Sequence, residues 1–256
     1  MARISGQDGI DTKVDNINSD VDHLHDTDIP AVLAEVEYME HHLHASNRTY
    51  GLDGSSGMAG MGSTIAILVT GGNNVFGTEV LLNKGSFGGT YFDPGAIQIS
   101  AVTKANSPTL LEFYEHVAGD QIDYTGEADD DKVTASGIAE NDRLIFDTIV
   151  EGDANGVTRA IVYHALAVAA GAFQVSLTAG GGAVNITADV SGKLRKLTPT
   201  FITDRMITCS ATTADAMVIS LPCPKVLSTK YLSVMAKSCS GETIGVSFFL
   251  DVHTYS

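Results

Sequence analysis

The N-terminal residues carry a hydrophobic repeat with the spacing of an α-helical seam. Apolar residues follow one another at intervals of four and three positions, and the same spacing resumes after a phase break. Such spacing places the apolar side chains on one face of a helix, in the heptad manner of a coiled coil. This seam is the predicted oligomer interface. It consists of Ile10, Val14, Ile17, Val21, Leu24, Ile29, Val32, Val36, Met39 and Leu43.

The phase break has a local explanation in the sequence. Asp26 and Asp28 are typical N-cap residues, and Pro30 suits the first turn of a helix, where its missing N–H is harmless. We therefore predict two short helices, at 9–25 and 29–45, with a joint between them. Helices of about two heptads are marginal in water, so the seam has to be buried against copies of itself or against the chain's own β-domain. β-Branched residues at both seam positions of the first helix favour more than two strands, and we expect a homotrimer.

A glycine-rich stretch at 51–63 follows the predicted N-terminal helical segment, 1–50. Its lack of periodicity predicts a flexible linker or an extended arm. Beyond it, alternating runs rich in β-branched residues are separated by Gly, Pro, Asn and Asp, which predicts antiparallel strands joined by turns. These runs predict a jelly-roll-like β-sandwich with a first half at 64–127 and a second half at 191–256. The runs are 64–70, 79–83, 96–103, 109–115, 205–211, 216–221, 231–237 and 243–252.

Residues 128–190 lie between the two halves of the sandwich and contain their own strand-like runs. The acidic stretch 127–132 precedes these runs and 189–192 follows them, which predicts a small β-module inserted into a loop, with its two ends close together. The expected fold class is therefore mainly β, an antiparallel sandwich with an inserted module and an N-terminal coiled-coil-like helix. The runs of the module are 132–136, 142–146, 161–168, 173–177 and 183–187.

Composition excludes several classes of partner. The chain has 15 Lys plus Arg against 31 Asp plus Glu, so a nucleic acid would meet net repulsion, and we expect no nucleic-acid partner. The longest apolar stretch, 160–173, is too short to span a bilayer, and no signal-peptide core follows Met1, so we expect a soluble protein without a membrane partner. The odd number and wide spacing of the cysteines predict buried free thiols made in a reducing cytoplasm. They are Cys209, Cys223 and Cys239.

The sequence offers few patterns that would carry chemistry. It contains neither the Gly-x-Ser-x-Gly elbow of hydrolases nor a phosphate-binding Gly-rich loop ending in Lys-Ser or Lys-Thr, so we expect no catalytic residues, no cofactor and no enzymatic activity. Asp142 and Arg143 are expected to position a hairpin, since no further carboxylate or histidine is tied to them by spacing. His23 and His25 lie two residues apart, cannot share a helix face, and are predicted to be surface residues.

Two clusters are candidate metal sites. The first comprises His41, His42 and His44 at the end of the second predicted helix, where zinc or nickel could bind if three chains bring the imidazoles together. The second is the run 129–131, namely Asp129, Asp130 and Asp131, whose carboxylates suit Ca²⁺ but lack the Gly and distal Glu of an EF-hand loop. We favour a solvated or interface-facing helix end for the first cluster and a solvated turn for the second, and therefore predict no metal.

The inserted module resembles a β-module that recurs in virion proteins of tailed bacteriophages. There, a Val-Thr strand and a glycine turn precede an Asp-Arg or Asp-Lys strand, a Tyr-bearing strand and a closing Phe-Gln-Val-Ser-Leu-Thr strand with a glycine-rich hairpin. The matching pieces here are Val133-Thr-Ala-Ser-Gly137, Asn141-Asp-Arg-Leu-Ile-Phe146, Val162-Tyr-His164, Phe173-Gln-Val-Ser-Leu-Thr178 and Gly180-Gly-Gly-Ala-Val-Asn-Ile-Thr187.

The flanking sequence is similar to phage head-surface proteins. These have a His-rich helix end leading into an aromatic-Gly step, a Gly-Asn-Asn-aromatic-Gly turn at the start of the sandwich, and a last strand ending in His and Tyr. The chain ends in Asp-Val-His-Thr-Tyr where that group has Gly-Leu-His-Glu-Tyr. The corresponding residues are His41-His-Leu-His44 with Tyr50-Gly51, Gly72-Asn-Asn-Val-Phe-Gly77, and Phe248-Phe-Leu-Asp-Val-His-Thr-Tyr255.

The resemblance implies a non-enzymatic virion structural protein of the head decoration or head-fibre type, assembled in the bacterial host cytoplasm and located on the particle. Its expected partners are further copies of itself, as a homotrimer, and the major capsid protein or another virion protein. The alternative is a tail-associated receptor- or carbohydrate-binding protein. Aromatic side chains at loop tips would favour that alternative, and Tyr91, Phe92 and Tyr124 are the candidates. A glycan depolymerase has no supporting constellation in the sequence.

Overall fold

The chain divides into a helical unit and a β unit. A computed structural model describes residues 7–33, 46–52, 59–61, 66–82, 91–150, 156–220, 226–227 and 230–255. One compact unit comprises Met1–Ala45 with Tyr255–Ser256, and the other comprises Ser46–Thr254. The structure is mainly β, with antiparallel sheets in the second unit and an N-terminal helix in the first. In the part of the chain that the structure describes, no helix is long and apolar enough to cross a membrane.

The predicted joint between two helices is a turn of π-helix in the structure. The first helix, α1, spans Gln7–His23, the π turn spans Leu24–Asp28, and α-helix continues at 29–33. The backbone on both sides of the turn stays in the right-handed helical region, so the chain forms one interrupted helix and the predicted caps Asp26 and Asp28 lie inside the turn. Pro30 gives a physical reason, because its missing N–H breaks the α-helical ladder just where the wider turn replaces it.

The described part of the β unit contains the strands β1 to β16. The alternation of buried and exposed residues along several of them matches a strand with one face on a core, as in β3 and β6. The strands are β1 Ser46–Leu52, β2 Ala59–Met61, β3 Ile67–Gly71, β4 Glu79–Leu81, β5 Tyr91–Val102, β6 Thr109–Ala118, β7 Ile122–Glu127, β8 Lys132–Thr134, β9 Arg143–Ile149, β10 Ile161–Ala169, β11 Ala172–Ser176, β12 Val190–Ile207, β13 Thr213–Ser220, β14 Val226–Leu227, β15 Tyr231–Ser238 and β16 Ile244–Tyr255.

Two antiparallel sheets pack face to face around the largest apolar core. The first has the order β13-β5-β16-β1-β2, with β3 also paired to β16 and β14 to β5. The second contains the run β12-β6-β15-β4. Their facing side chains form one cluster of buried residues, in which Phe113 and Phe248 meet edge to face with ring centroids 6.5 Å apart. Seven of the eight predicted sandwich runs lie mostly on strands, whereas the run 205–211 coincides with β12 only at 205–207.

The predicted inserted module forms a closed barrel. Its strands pair in the cycle β7-β8-β11-β10-β9-β12 and back to β7. The interior is apolar, and Tyr124, Phe146 and Tyr163 pack edge to face at centroid distances of 4.9 and 5.3 Å. The barrel extends beyond the predicted 128–190 at both ends, since β7 and the first part of β12 belong to it. The two ends of the predicted module do adjoin, because the Ala128 N–H donates to Asp189 Oδ1 at 3.2 Å.

A second closed ring joins the barrel to the sandwich. It runs β12-β6-β15-β4-β10-β9 and back to β12, so that β9, β10 and β12 are walls of both rings. Successive side chains of a strand point to opposite faces. In β9, Leu144 and Phe146 enter the barrel core, while Ile145 enters a smaller core inside the second ring. A strand buried on both faces explains the continuous apolar run that the sequence shows there.

Gly192 lies where β12 passes between β7 and β9. Its backbone pairs with Tyr124 on one side and Ile149 on the other. Its φ is +150°, and a Cβ at this position would lie 2.1 Å from the carbonyl oxygen of Thr148. Only glycine fits both this conformation and this approach of the neighbouring backbone.

Two further predictions differ from the structure. The predicted linker 51–63 includes the end of β1 and the whole of β2, which pair with each other, and β1 also pairs with β16. The predicted run 183–187 is not a strand and contributes one isolated bridge, between Ala183 and Ser176. A glycine-rich sequence is thus compatible with a short edge hairpin, and a β-like run of five residues is compatible with a loop.

Candidate functional site

The described part of the seam is exposed to solvent in the single chain. Each of its side chains is between 45% and 60% exposed, which is unusual for apolar residues that recur on one helix face. Ile10 lies in α1, but its side chain is outside the described residues, as are Val36, Met39 and Leu43. The exposed seam residues are Val14, Ile17, Val21, Leu24, Ile29 and Val32.

The π turn keeps the seam on one face across the phase break. The interval from Leu24 to Ile29 is five residues, one more than the repeat requires. In the structure the Ile29 N–H donates to the Leu24 carbonyl oxygen, which is the i to i+5 hydrogen bond of a π-helix. Leu24 and Ile29 are therefore one helical turn apart, as are residues four apart in an α-helix. The extra residue is absorbed without rotating the second half of the seam away from the first.

The remaining candidates of the N-terminal unit are polar and exposed or lie outside the described residues. His23 and His25 are exposed, as predicted, at 3.7 Å from Asp28 Oδ2 and 2.9 Å from Asp26 Oδ1. The histidine cluster His41, His42 and His44 lies outside the described residues.

The acidic run 129–131 forms a turn in which two of the three carboxylates, those of Asp130 and Asp131, have protein partners. Asp131 has a φ of +56° and its Oδ1 accepts a hydrogen bond from the Ile186 N–H at 2.7 Å. Asp130 pairs with Lys132. Among the described residues no group of three or more His, Cys, Asp or Glu side chains is placed to hold a metal ion.

Asp142, just before β9, and Arg143, the first residue of β9, make different contacts. Asp142 accepts a hydrogen bond from the Ala139 N–H at 2.7 Å and forms an ion pair with Lys196 at 2.6 Å, which fits the predicted role in a hairpin. Arg143 instead reaches a buried glutamate, Glu79, with Nε 3.2 Å from Oε2. No spacing in the sequence indicates this second contact.

The Glu79 carboxylate lies in a buried polar cluster on three adjacent strands, β4, β15 and β6. Its Oε1 accepts hydrogen bonds from His116 Nε2 at 2.9 Å and from the Ser233 hydroxyl at 2.5 Å. His116 Nε2 also lies 2.7 Å from Ser233 Oγ. Glu79, His116 and Ser233 are each at most 1% exposed. We call these three residues and Arg143 the ring cluster.

The ring cluster holds its carboxylate in the charged form. Burial alone would raise the pKa of Glu79, but the hydrogen bond from His116 and the charges of His116 and Arg143 lower it below its ordinary value. Arg143 in addition stacks on Tyr114, with its guanidinium carbon 5.0 Å from the ring centroid. Because every member contacts a neighbour on another strand, the arrangement joins β4, β6, β9 and β15 at one end of the second ring.

A cleft of about 310 Å³ opens beside the ring cluster, between the sandwich and the barrel. Arg143 and Tyr114 form part of its wall, together with Glu112, His164 and Met235. Burial and the hydrogen bond to Glu112 Oε2 raise the pKa of Tyr114 to about 12. Burial lowers the pKa of His164. At neutral pH the cleft therefore presents a neutral imidazole and a neutral phenol beside Arg143 and Glu112, and these side chains can form hydrogen bonds with a neutral polar ligand.

A second cavity, of about 600 Å³, lies where the 72–77 turn approaches the loop after β11. Most of the residues that line this cavity are small, among them Gly71, Gly77 and Thr178. A Cβ on Gly77 would lie 2.0 Å from the Thr70 carbonyl oxygen, which explains why the turn of the Gly-Asn-Asn motif closes on a glycine.

The other end of the second ring carries a second ion pair. Arg195 Nε lies 3.2 Å from Asp147 Oδ2 and its Nη1 donates to the Gly119 carbonyl oxygen at 2.9 Å. Gln121 also donates to Asp147. Burial and the nearby Asp147 charge raise the pKa of Tyr231, which belongs to the apolar core between the two charged ends.

Several predicted features are corrected by the structure. Cys209 is buried, as expected, and burial raises the pKa of its thiol, but Cys239 is exposed, while Cys223 lies outside the described residues. Tyr124 is in the barrel core instead of at a loop tip. Tyr91 and Phe92 belong to the backbone of β5, and their side chains lie outside the described residues.

The ring cluster was not predicted, because its members are scattered along the chain at positions 79, 116, 143 and 233. Their sequence spacing carries no motif, and only the strand order brings them together. One local signal was available. Glu79 begins one predicted strand-like run and His116 directly follows another, and a polar residue that is buried at the end of a strand requires a partner.

Comparisons of the chain with protein-family models, with curated proteins and with solved structures found no match.

Proposed function

We propose that the chain is a non-enzymatic structural protein of a tailed-bacteriophage particle, a trimeric capsid decoration or head-fibre protein that binds the capsid surface. The exposed seam is the observation that carries this proposal. Apolar side chains recur on one helix face and lie about half exposed in the single chain, so that face is suited to another protein surface. The proposed location on the capsid surface is based on the sequence resemblance to phage head-surface proteins.

The strand order supports a jelly roll as the projecting domain. Two four-stranded sheets in the orders β3-β16-β5-β13 and β4-β15-β6-β12 face each other. Numbering these eight strands along the chain as B to I gives B-I-D-G and C-H-E-F, the arrangement of two Greek keys that defines a jelly roll. The barrel then occupies the connection between the fourth and fifth strands. Jelly rolls are a common architecture of viral capsid domains.

The N-terminal helix supplies the proposed trimer as a coiled coil. Burying an apolar side chain contributes roughly 1.5 to 3 kcal/mol, so the six described seam residues give several kcal/mol for association after the entropy of bringing copies together is subtracted. β-Branched residues dominate both seam positions, which favours three strands. Attachment to a repeating capsid lattice would gain further from multivalency.

The burial of the ring cluster supports a structural role for it. Glu79, His116 and Ser233 contact one another, but they are enclosed by strands. A general base has to come within hydrogen-bond reach of a substrate proton, whereas these groups reach only neighbouring strands. Their contacts fix how the sandwich and the barrel are joined.

The location of the chain on intact particles tests this proposal. Particles of the phage that encodes it would be labelled with antibody fragments against the β unit and imaged by electron microscopy. Label at capsid facets or vertices is the expected result. Label confined to the tail tip, or purified particles that lack the chain, would overturn the proposal.

A tail-associated carbohydrate-binding protein is the second candidate. The cleft between sandwich and barrel favours it, because a guanidinium, a carboxylate and neutral hydrogen-bonding rings line one depression of about 310 Å³. Monosaccharides of the host surface are neutral polar ligands of matching chemistry. A glycan array probed with the intact chain and with Glu112→Ala separates the candidates: binding that the substitution abolishes, together with label at the tail, favours the second.

A further inference from the structure

The cleft beside the ring cluster contains a buried polar side chain without a partner. His164 is 6% exposed and belongs to the wall of the cleft. Within the described part of the chain its ring nitrogens have no hydrogen-bond partner. Buried polar groups of folded proteins nearly always have one, so an imidazole of this kind at the wall of a cleft indicates a group that a ligand can reach.

Two charged side chains of the same wall also have unused hydrogen-bonding capacity. Arg143 directs Nε toward Glu79, at 3.2 Å, and lies over the Tyr114 ring, but neither of its terminal nitrogens has a partner among the described residues. Glu112 accepts the Tyr114 hydroxyl on Oε2 at 2.6 Å, which leaves Oε1 as a further acceptor. Because Glu79 and Tyr114 already hold the guanidinium, a ligand would bind it with little further loss of side-chain freedom.

These three side chains favour a ligand that carries hydroxyl groups. Arg143 only donates hydrogen bonds, the Glu112 carboxylate only accepts them, and a neutral imidazole such as that of His164 does both. An anionic ligand would be repelled by Glu112 and a cationic ligand by Arg143. A hydroxyl group donates and accepts, so vicinal hydroxyls of a sugar can satisfy all three groups without introducing charge.

The cavity of about 600 Å³ adjoins the cleft of about 310 Å³. Gly77 and Thr178 belong to the walls of both, and every residue that lines the larger cavity is uncharged. Its walls offer the side chains of Thr70, Thr243 and Asn185 as neutral hydrogen-bonding groups. A ligand held beside Arg143 can therefore continue past Gly77 and Thr178 into a second compartment of neutral, polar character.

We infer that the cleft and this cavity form one groove that binds a neutral oligosaccharide. Arg143, His164 and Glu112 hold one sugar unit, and the uncharged walls beyond Gly77 accommodate the units that follow. The inference rests on the carbohydrate binding of the second candidate function and adds that the ligand is a chain of sugars rather than one. It is independent of the helical seam and of where the protein lies on a particle.

The dependence of affinity on ligand length tests this inference in the full-length protein. An array of neutral glycans first identifies a sugar that is bound, and that sugar is then titrated calorimetrically as a series from the monosaccharide to the hexasaccharide. We expect the affinity to rise about tenfold or more along the series, because the second compartment adds contacts to those of the first.

Substitutions separate the two ends of the groove. Gly182 lines the larger cavity, and a Cβ there would meet open space, so Gly182→Tyr should fill that cavity, remove the gain with length and leave monosaccharide binding unchanged. Arg143→Gln should weaken binding of every length by roughly tenfold or more, because it removes charge-assisted hydrogen bonds. The matched control is Arg195→Gln. Arg195 Nε also lies 3.2 Å from a carboxylate but belongs to neither wall, and this variant should bind like the wild type.

Arg143→Gln also removes the partner of a buried carboxylate, so Glu112→Gln, which leaves that pair intact, serves as a second variant and should weaken binding at every length. Equal affinity for all lengths would overturn the extended groove and leave the second candidate function intact. The absence of binding to any neutral glycan would overturn both. Wild-type affinity in the Arg143→Gln and Glu112→Gln variants, or equal losses in these and in Arg195→Gln, would overturn the assignment of the polar contacts.

Discussion

In the helical unit, apolar seam side chains are about half exposed, whereas in the β unit a glutamate, a histidine and a serine are almost completely buried. Glu79 Oε1, His116 Nε2 and Ser233 Oγ have hydrogen-bond partners within the chain at 2.5 to 2.9 Å, whereas Glu79 Oε2 has an ion-pair contact with Arg143 and no hydrogen bond, and His116 Nδ1 has no hydrogen bond. The apolar seam residues are not shielded to a comparable degree, since Ile17 and Val21 are 60% and 56% exposed. The β unit can therefore be stable as one chain, and the helix is stabilised only when another surface covers it. In the proposed trimer, assembly would therefore depend on the helical unit and folding stability on the β unit.

The largest test of this contrast introduces charge into the seam. The double substitution Ile17→Asp and Val21→Asp removes two seam side chains, each of which contributes roughly 1.5 to 3 kcal/mol when buried, and adds unpaired charge. We expect a mass near that of one chain by light scattering, unchanged β-type circular dichroism and weaker incorporation into particles. Asn16→Asp with Ser19→Asp, off the seam, is the matched control and should remain oligomeric. A trimer of unchanged stability in the seam variant would show that the helices do not hold the copies together.

The converse test removes charge from the ring cluster. Glu79→Leu leaves Arg143 and His116 without their carboxylate, and breaking a buried pair in this way costs about 3 to 5 kcal/mol. We expect that loss in the free energy of unfolding of the β unit, measured with denaturant on a sample that is still oligomeric. Asp123→Asn serves as the control, because the Asp123–Lys193 pair is largely exposed and should contribute less than about 1 kcal/mol. Equal effects of the two substitutions would contradict the role given to burial.

A backbone substitution in β12 tests whether the barrel and the sandwich unfold together. Gly192→Ala places a Cβ against the Thr148 carbonyl oxygen at a φ of +150°, and strain of this kind costs on the order of 1 to 3 kcal/mol. We expect one cooperative unfolding transition at lower denaturant, because β12 belongs to the barrel, the second ring and the sandwich. Two separate transitions would mean that barrel and sandwich unfold independently. Gly137→Ala, also at positive φ but with open space around its Cβ, separates strain in φ from steric contact.

The smallest expected effect concerns pH. Because burial holds the pKa of His164 below its ordinary value of 6.5, the folded chain binds fewer protons than the unfolded chain below that pH. Stability should then fall as the pH drops from 6.5 toward the folded pKa, and it should be constant above. His164→Gln should flatten this part of the curve, measured as denaturation midpoints between pH 7 and pH 5. A wild-type curve already flat in this range would contradict the prediction. Glu79 acts at lower pH, since its depressed pKa contributes stability that is lost only on further acidification.

The elements that the sequence predicted best are those with local patterns. The alternation in β3 and β6 and the apolar repeat of α1 depend on neighbours in the chain, and these strands and the helix are present. The barrel was predicted as an inserted module, but its closure was not, because closure depends on β12 pairing with both β7 and β9. The predicted capped joint is a π turn in the structure. Asp26 and Asp28 are compatible with both, and only the five-residue interval from Leu24 to Ile29 distinguishes a π turn from a capped joint.

The ring cluster illustrates what a single sequence does not contain. Ser233 and Glu79 are 154 positions apart, and neither segment contains a pattern that identifies the other as its partner. By contrast, Ile17 and Val21 could be assigned from spacing alone, because both belong to one repeat. Contacts that depend on a helical repeat can be predicted from spacing in the sequence. Contacts that depend on the order of strands in a sheet cannot.

The strand order also determines when each part of the molecule can form during synthesis. The six barrel strands lie between residues 122 and 197, so the barrel can close as soon as that stretch has left the ribosome. The sandwich depends on β15, which lies between β4 and β6, and on β16, which lies between β5 and β1. Both come late in the chain, and pairings of such long sequence separation form slowly. Until β15 and β16 have emerged, β3 lacks its partner strand and β4 and β6 each lack one neighbour, so the nascent chain carries an early-folding barrel beside unpaired strand edges of the sandwich.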